Sequence, residues 1–277
     1  MNEIKNIDDN KHGKIILTLS LPLFLFLVIA SYSGIFIAET YARNTESFAA
    51  QGIGQDIVNL FVIAPLLLIS SILYYKRNRK AMFIWSGLLS YIVYSYVIYC
   101  FAQPFNFLFL VYCTILGLSF YSLIYFLITM INEPVKDWYK SDVPIKTVSI
   151  FFIFISFLFY FVWLSEIIPA LINNEIPQSI IENGLITNPV HVLDIAILLP
   201  ALLITAILLL KDNKYGYFLA PILLVFIVLM SLAIIGMVIA MVLKDIETDL
   251  GLTVIFIVIA VISILISTIV LKAIETK

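Results

Sequence analysis

Read from its N-terminus, the chain alternates long apolar runs with short polar connectors. Eight of the runs approach or exceed the roughly 20 residues that a helix needs to cross a bilayer. They cover approximately 14–38, 56–75, 81–102, 107–131, 147–171, 190–210, 216–243 and 251–272. A transmembrane barrel would instead show segments of about ten residues with alternating polarity. Runs such as "FFIFISFLFYFVW" and "VIFIVIAVISILIS" neither alternate strictly nor stop soon enough. The pattern predicts an all-α fold, a polytopic transmembrane helical bundle of eight spans.

Sliding the chain against itself uncovers a regularity at a shift of 135 residues, where "PLLLISSILYYKRN" (65–78) lies over "PALLITAILLLKDN" (200–213). Leu and Ile matches are cheap in a membrane protein, so the weight rests on Pro65 with Pro200, Lys76 with Lys211 and Asn78 with Asn213. The shift aligns the first span with the fifth, and predicts a duplicated four-helix unit. The organisation expected is a cytoplasmic tail 1–13, a first repeat 14–131, a cytoplasmic connector 132–146 and a second repeat 147–277. A unit with an even number of spans returns to its starting side, so its copies run parallel, related by an axis along the membrane normal.

Composition agrees with this picture, with 62% hydrophobic and only 12% charged residues, too few to cover a water-facing surface. Lys and Arg concentrate in the N-terminal tail, "KRNRK" (76–80), 132–146, "KDNK" (211–214) and the C-terminal tail, while the opposite connectors carry only Arg43 and Lys244. Because positive charge stays inside, a cell-membrane protein with both termini in the cytoplasm is expected. The first apolar run is too long for a signal peptide, and Phe36 spoils the small-x-small pattern before Ala38. A net charge of −2 with no dense basic cluster argues against a nucleic-acid partner. Cys100 and Cys113 read as small core residues unless tilts favour a disulfide.

Polar residues within the spans gather near the outer side. The second span begins with Gln55, Asp56 and Asn59, and the sixth with His191 and Asp194. Glu166 lies near the end of the fifth, Tyr91, Tyr94, Tyr96 and Tyr99 near the end of the third, and Asn106 at the start of the fourth. An Asp at mid-membrane costs about 2.5–3.5 kcal/mol on the insertion scale, so each such residue asks for a partner. Residues three apart share a helix face, which pairs Asp56 with Asn59 and His191 with Asp194, and the 135-residue shift lays Asp56 on His191 and Asn59 on Asp194. The two faces are expected to look at each other across one outward-facing cavity.

Each residue also has a plainer reading. Asp56 would be a first-turn carboxylate at a helix N-terminus, Glu166 an interfacial side chain, and the tyrosines a membrane belt. Asp194 lies about two turns beyond a cap at Asn188, too deep for that account, with His191 its nearest candidate partner. The mid-span prolines mark kinks, and "GMVIA" (236–240) suits close helix packing. Loop 39–55 could lie as a short interfacial helix and act as a lid.

Nucleophile-elbow, P-loop, zincin and dinucleotide motifs are all missing, and no metal or other cofactor is expected. With His12 in the tail, two histidines cannot meet in one site; a metal held by His191 with Asp56, Asp194 and Glu166 is conceivable only as a mixed set. The stretches "AAQGIGQDIVNLFVIAPLLL" (49–68), "YSYVIYCFAQPFNFLFLVY" (94–112), "VLDIAILLPALL" (192–203) and "KYGYFLAPILL" (214–224) resemble a family of uncharacterised prokaryotic eight-span membrane proteins. That resemblance implies eight spans and carries no assigned activity to transfer.

The leading expectation is a small-solute or ion-coupled transporter, with Asp56 and Asp194 binding cation or proton, Asn59 and His191 orienting them, and Glu166, Gln55, Tyr94 and Asn106 as further candidates. Its partners would be the bilayer and an unidentified small molecule or ion. An intramembrane enzyme acting on a lipid or lipid-linked substrate, with His191 as base, is one alternative. A receptor-like or structural protein held together by the same polar groups is another.

Overall fold

The computed structural model describes residues 2–140, 143–248 and 250–276, with side chains from residue 12 onward other than those of 250 and 252. Eight helices are long and apolar enough to cross a membrane. They are α1 (Asn2–Phe36), α2 (Glu46–Tyr75), α3 (Arg79–Ala102), α4 (Phe109–Met130), α5 (Ile145–Asn173), α6 (Pro189–Leu210), α7 (Lys214–Val242) and α8 (Leu250–Ala273). The protein is therefore a multi-pass membrane protein with an all-α bundle fold. Sidedness within each helix follows from the solvent. On α1 the exposed residues Leu21, Leu25, Ile29, Tyr32 and Phe36 recur at helical spacing, while the buried stripe includes Ser20 and Ser31. Lipid tails satisfy Leu as well as a protein interior does, so the less apolar stripe turns inward.

Neighbouring helices within 14–131 pack in sequence and α1 closes back on α4; within 147–277 the succession α5–α6–α7–α8 repeats that order. The segments meet chiefly where α7 crosses the first part of α2 and runs against α3. At that crossing Gly54 and Gly236 remove both side chains: a Cβ on Gly54 would stand 2.4 Å from the Gly236 carbonyl oxygen. The small residue in "GMVIA" thus serves close packing, as expected. α5 and α8 show no comparable packing among the described residues and touch at Phe159 and Phe256, ring centroids 5.5 Å apart.

Two local devices recur 135 residues apart. Asn59–Ile63 in α2 and Asp194–Leu198 in α6 are π-helical, with the Ala64 N–H bonded to the Asn59 carbonyl and the Leu199 N–H to that of Asp194. Each lies just before a proline, Pro65 or Pro200, whose missing N–H disrupts the ordinary ladder. At the ends of these helices Arg77 (φ 66°) and Asp212 (φ 54°) take the left-handed conformation. The N–H groups of Asn78 and Asn213 then return to the carbonyls of Leu73 (3.1 Å) and Leu208 (2.9 Å). The same two asparagines cap the following helices through their side chains.

Two expectations change, at the start of α2 and at the cysteines. α2 starts at Glu46, capped by Thr45, so residues 46–55 are its first turns, packed on α7, rather than a lid; Gly52 and Gly54 let neighbours approach the helix there. The segment 1–13 is helical from Asn2. Cys100 and Cys113 are free thiols, and Cys113 is exposed rather than in the core.

Candidate functional site

A cavity of about 230 Å³ lies where the two four-helix segments meet, reached by α2 and α3 from the first and by α5, α6, α7 and α8 from the second. Its wall is apolar and rich in rings: Tyr94, Phe159, Trp163, Phe226 and Phe256. Its polar lining comes from Gln51, Gln55, Tyr94, Ser95, Trp163, Ser231 and the one carboxylate, Asp194. Asn188 caps α6 by accepting from the Val190 N–H at 3.0 Å, and Pro189 occupies the first helical position. Asp194 follows at the head of the π segment, 7% exposed. Its Oδ1 accepts from Tyr94 OH at 2.8 Å and its Oδ2 from Trp163 Nε1 at 2.8 Å. The Ser95 hydroxyl is buried in the same wall, beside Tyr91.

Asp56 lies elsewhere, in a buried cluster formed entirely by the first segment. Because α2 begins at Glu46, Asp56 stands almost three turns into the helix. The first-turn dipole account therefore does not apply. The carboxylate is 1% exposed. Tyr41 OH donates to Oδ2 at 2.5 Å and Tyr99 OH to Oδ1 at 3.0 Å. Gly34 on α1 provides the room: a Cβ there would fall 1.7 Å from Oδ2. Asn59, one turn on, accepts from Tyr91 OH at 2.9 Å, and Gln55 reaches the same hydroxyl at 3.5 Å. Gln55 also borders the cavity, and Asn59 interacts with the Asp56 carboxyl, so polar contacts run from one place to the other.

The remaining candidates separate. His191 does not pair with Asp194: its Nε2 lies 3.5 Å from Glu166 Oε2 and 3.3 Å from the Asn188 amide, and its ring sits 4.8 Å from that of Trp163. One turn back from Asp194, it meets Glu166 and Trp163 of α5 and the Asn188 cap, whereas Asp194 meets Tyr94 of α3 and the Nε1 of Trp163. Glu166 also accepts from the Ser179 N–H at 3.0 Å, tying down the short helix Gln178–Glu182 instead of snorkelling freely. Asn106 organises its own loop, donating to the Thr40 carbonyl at 3.0 Å and accepting from the Leu108 N–H. The expectation that Asp56, Asn59, His191 and Asp194 converge on one cavity is thus corrected. Gln55, Tyr94 and Asp194 line the cavity; Asp56 and Asn59 form the adjoining cluster; His191 and Glu166 form a third site. No group of three metal-ligating side chains occurs among the described residues, so the mixed metal set does not assemble.

The tyrosines of α3 are likewise not a belt. Tyr91, Tyr96 and Tyr99 are buried and turn inward, two of them onto Asn59 and Asp56. Tyr41, Gly34 and Gln51 had no signal of their own in the sequence. Tyr41 lies in a connector, and what brings it to Asp56 is the early start of α2, with Gly52 leaving room against the ring. No family model, curated protein or solved structure matches the chain.

Proposed function

We propose that the protein is a carrier for a small organic cation, bound in the central cavity by Asp194. The observation that supports this reading is the chemistry of the wall: aromatic rings around one buried carboxylate that has no Lys, Arg or His partner among the described residues. An ammonium over aromatic faces gains about 0.5–2 kcal/mol, and a buried carboxylate with no countercharge is costly. One cationic solute supplies both. Tyr94 and Trp163 hold the carboxylate in place, and Gln51 and Gln55 add polar groups to the same wall.

In this reading the two segments are copies of one four-helix unit, supported by the π segments and the left-handed turns that recur 135 residues apart. The protein sits in the cell membrane with both termini in the cytoplasm, on the evidence of the Lys and Arg distribution. The paired π segments before Pro65 and Pro200 would be the places where the bundle bends between two states.

The test uses benzylammonium as probe. Purified protein should be stabilised against heat by benzylammonium and not by benzyl alcohol, and Asp194→Asn should remove at least 90% of the response. Equal stabilisation by the alcohol, or an unaltered response in the variant, would refute the reading. A lipid-directed enzyme draws on the His191–Glu166 pair at 3.5 Å, a base with its orienting carboxylate. Release of a hydrolysed lipid headgroup by wild type and not by His191→Gln would favour it.

A further inference from the structure

We propose that Asp56, Tyr41 and Tyr99 form a buried proton-binding site that communicates with the central cavity through Asn59, Tyr91 and Gln55. The site itself stands on its own geometry; only its coupling to a solute rests on the carrier reading.

The three side chains close a ring. Tyr41 OH contacts Asp56 Oδ2 at 2.5 Å, Tyr99 OH contacts Oδ1 at 3.0 Å, and the two phenol oxygens are 3.4 Å apart. With the carboxylate ionised, each phenol donates to one of its oxygens. With the carboxyl neutral, Oδ2–H donates to the Tyr41 oxygen, Tyr41 O–H to the Tyr99 oxygen, and Tyr99 O–H to Oδ1. Both states keep every acidic oxygen partnered, and they differ by one proton and one rotated hydroxyl, that of Tyr41. A purely structural carboxylate needs only one of them.

No charge is built in to fix either state. From α1 the site meets Ser31 and Gly34, from α3 Tyr91, Tyr96 and Tyr99, from α4 Tyr112, and from the preceding loop Tyr41. None of these is a cation, and the titratable ones are all phenols. Asn59 and Ser31 also interact with the carboxyl, and the buried hydroxyls of Tyr96 and Tyr112 surround it. The route onward is the Asn59–Tyr91 contact at 2.9 Å and the Tyr91–Gln55 contact at 3.5 Å, ending at the cavity wall near Asp194. If the carrier reading holds, a proton on Asp56 and a cation at Asp194 would be exchanged in opposite directions.

Infrared difference spectroscopy of the full-length protein in lipid, with sodium held constant and pH stepped, tests the site without any solute. We expect a carboxylic-acid C=O band that appears on acidification, vanishes in Asp56→Asn and persists in Asp194→Asn. Tyr99→Phe removes the donor to Oδ1 and should move the band to higher frequency, which keeps the test available if Asp56→Asn does not fold. Tyr91→Phe should slow deuterium exchange of the band severalfold. A band unchanged in both Asp56→Asn and Tyr99→Phe, or one that follows sodium concentration instead of pH, would overturn the proposal. Failure of benzylammonium to bind would leave it standing.

Discussion

A carboxylate inside a membrane protein has to be given partners by the side chains around it, and here the smallest residue decides whether they fit. Gly34 lets Asp56 lie against α1, so Gly34→Ala should push the carboxylate off Tyr41. Overpacking of this kind costs about 1–3 kcal/mol, readable as a lower Tm. Gly117 has nothing within 4 Å of its would-be Cβ. Gly117→Ala should leave stability unchanged or raise it by up to about 1 kcal/mol. Outside the spans, Lys136 and Tyr217 both bond Asp212 and hold its carboxyl below the usual range. A depressed value means that the contact contributes above the unfolded-state value and is lost as pH falls through the folded one. Fluorescence probes on the 132–146 connector should therefore report local loosening around Lys136 on acidification below the ordinary Asp range, while Tyr139 still bonds the Tyr217 carbonyl and holds the connector in place. In Asp212→Asn the loosening should be present at every pH. Little of this residue-level chemistry was legible in the sequence. Asp56 and Asp194 stand out there because charge in a span is conspicuous. Tyr41 and Gly34 do not, since a tyrosine in a connector and a glycine in a span are ordinary.

Helices carry the next level, and their interruptions are as informative as their lengths. In α6 the Leu199 N–H bonds the Asp194 carbonyl, and the next donor in that register would be Pro200, which has none. The carbonyl thus left over, that of Ile195, accepts from Tyr160 OH at 3.2 Å. Tyr160→Phe should therefore cost about 1–3 kcal/mol in wild type by stranding that carbonyl. In a Pro200→Ala background, where an N–H is restored, it should cost much less. A double-mutant cycle on unfolding in detergent would show the coupling, and equal costs in both backgrounds would remove the explanation. The eight spans and both prolines were legible because hydrophobic length and a missing N–H are properties of the chain itself. The start of α2 was not. Its first ten residues include Gly52, Gly54 and several polar side chains, a composition that reads as a loop until α7 is present to bury one face.

For the whole molecule, the decisive contact is the crossing of α2 and α7, where backbone meets backbone at Gly54 and Gly236. Gly236→Ala would set a methyl 2.6 Å from Val58 and force the two segments apart. It should lower the Tm and widen the cavity, by the same overpacking cost of about 1–3 kcal/mol. The cavity lies at this interface, and the account of function depends on it. That account is tested most directly by flux into proteoliposomes. With wild-type protein, an outward proton gradient should drive labelled benzylammonium into the vesicles, and the rate should fall at least tenfold in Asp194→Asn while that variant remains folded. Uptake equal to protein-free vesicles, or undiminished in Asp194→Asn, would contradict the claim that this cavity carries an organic cation.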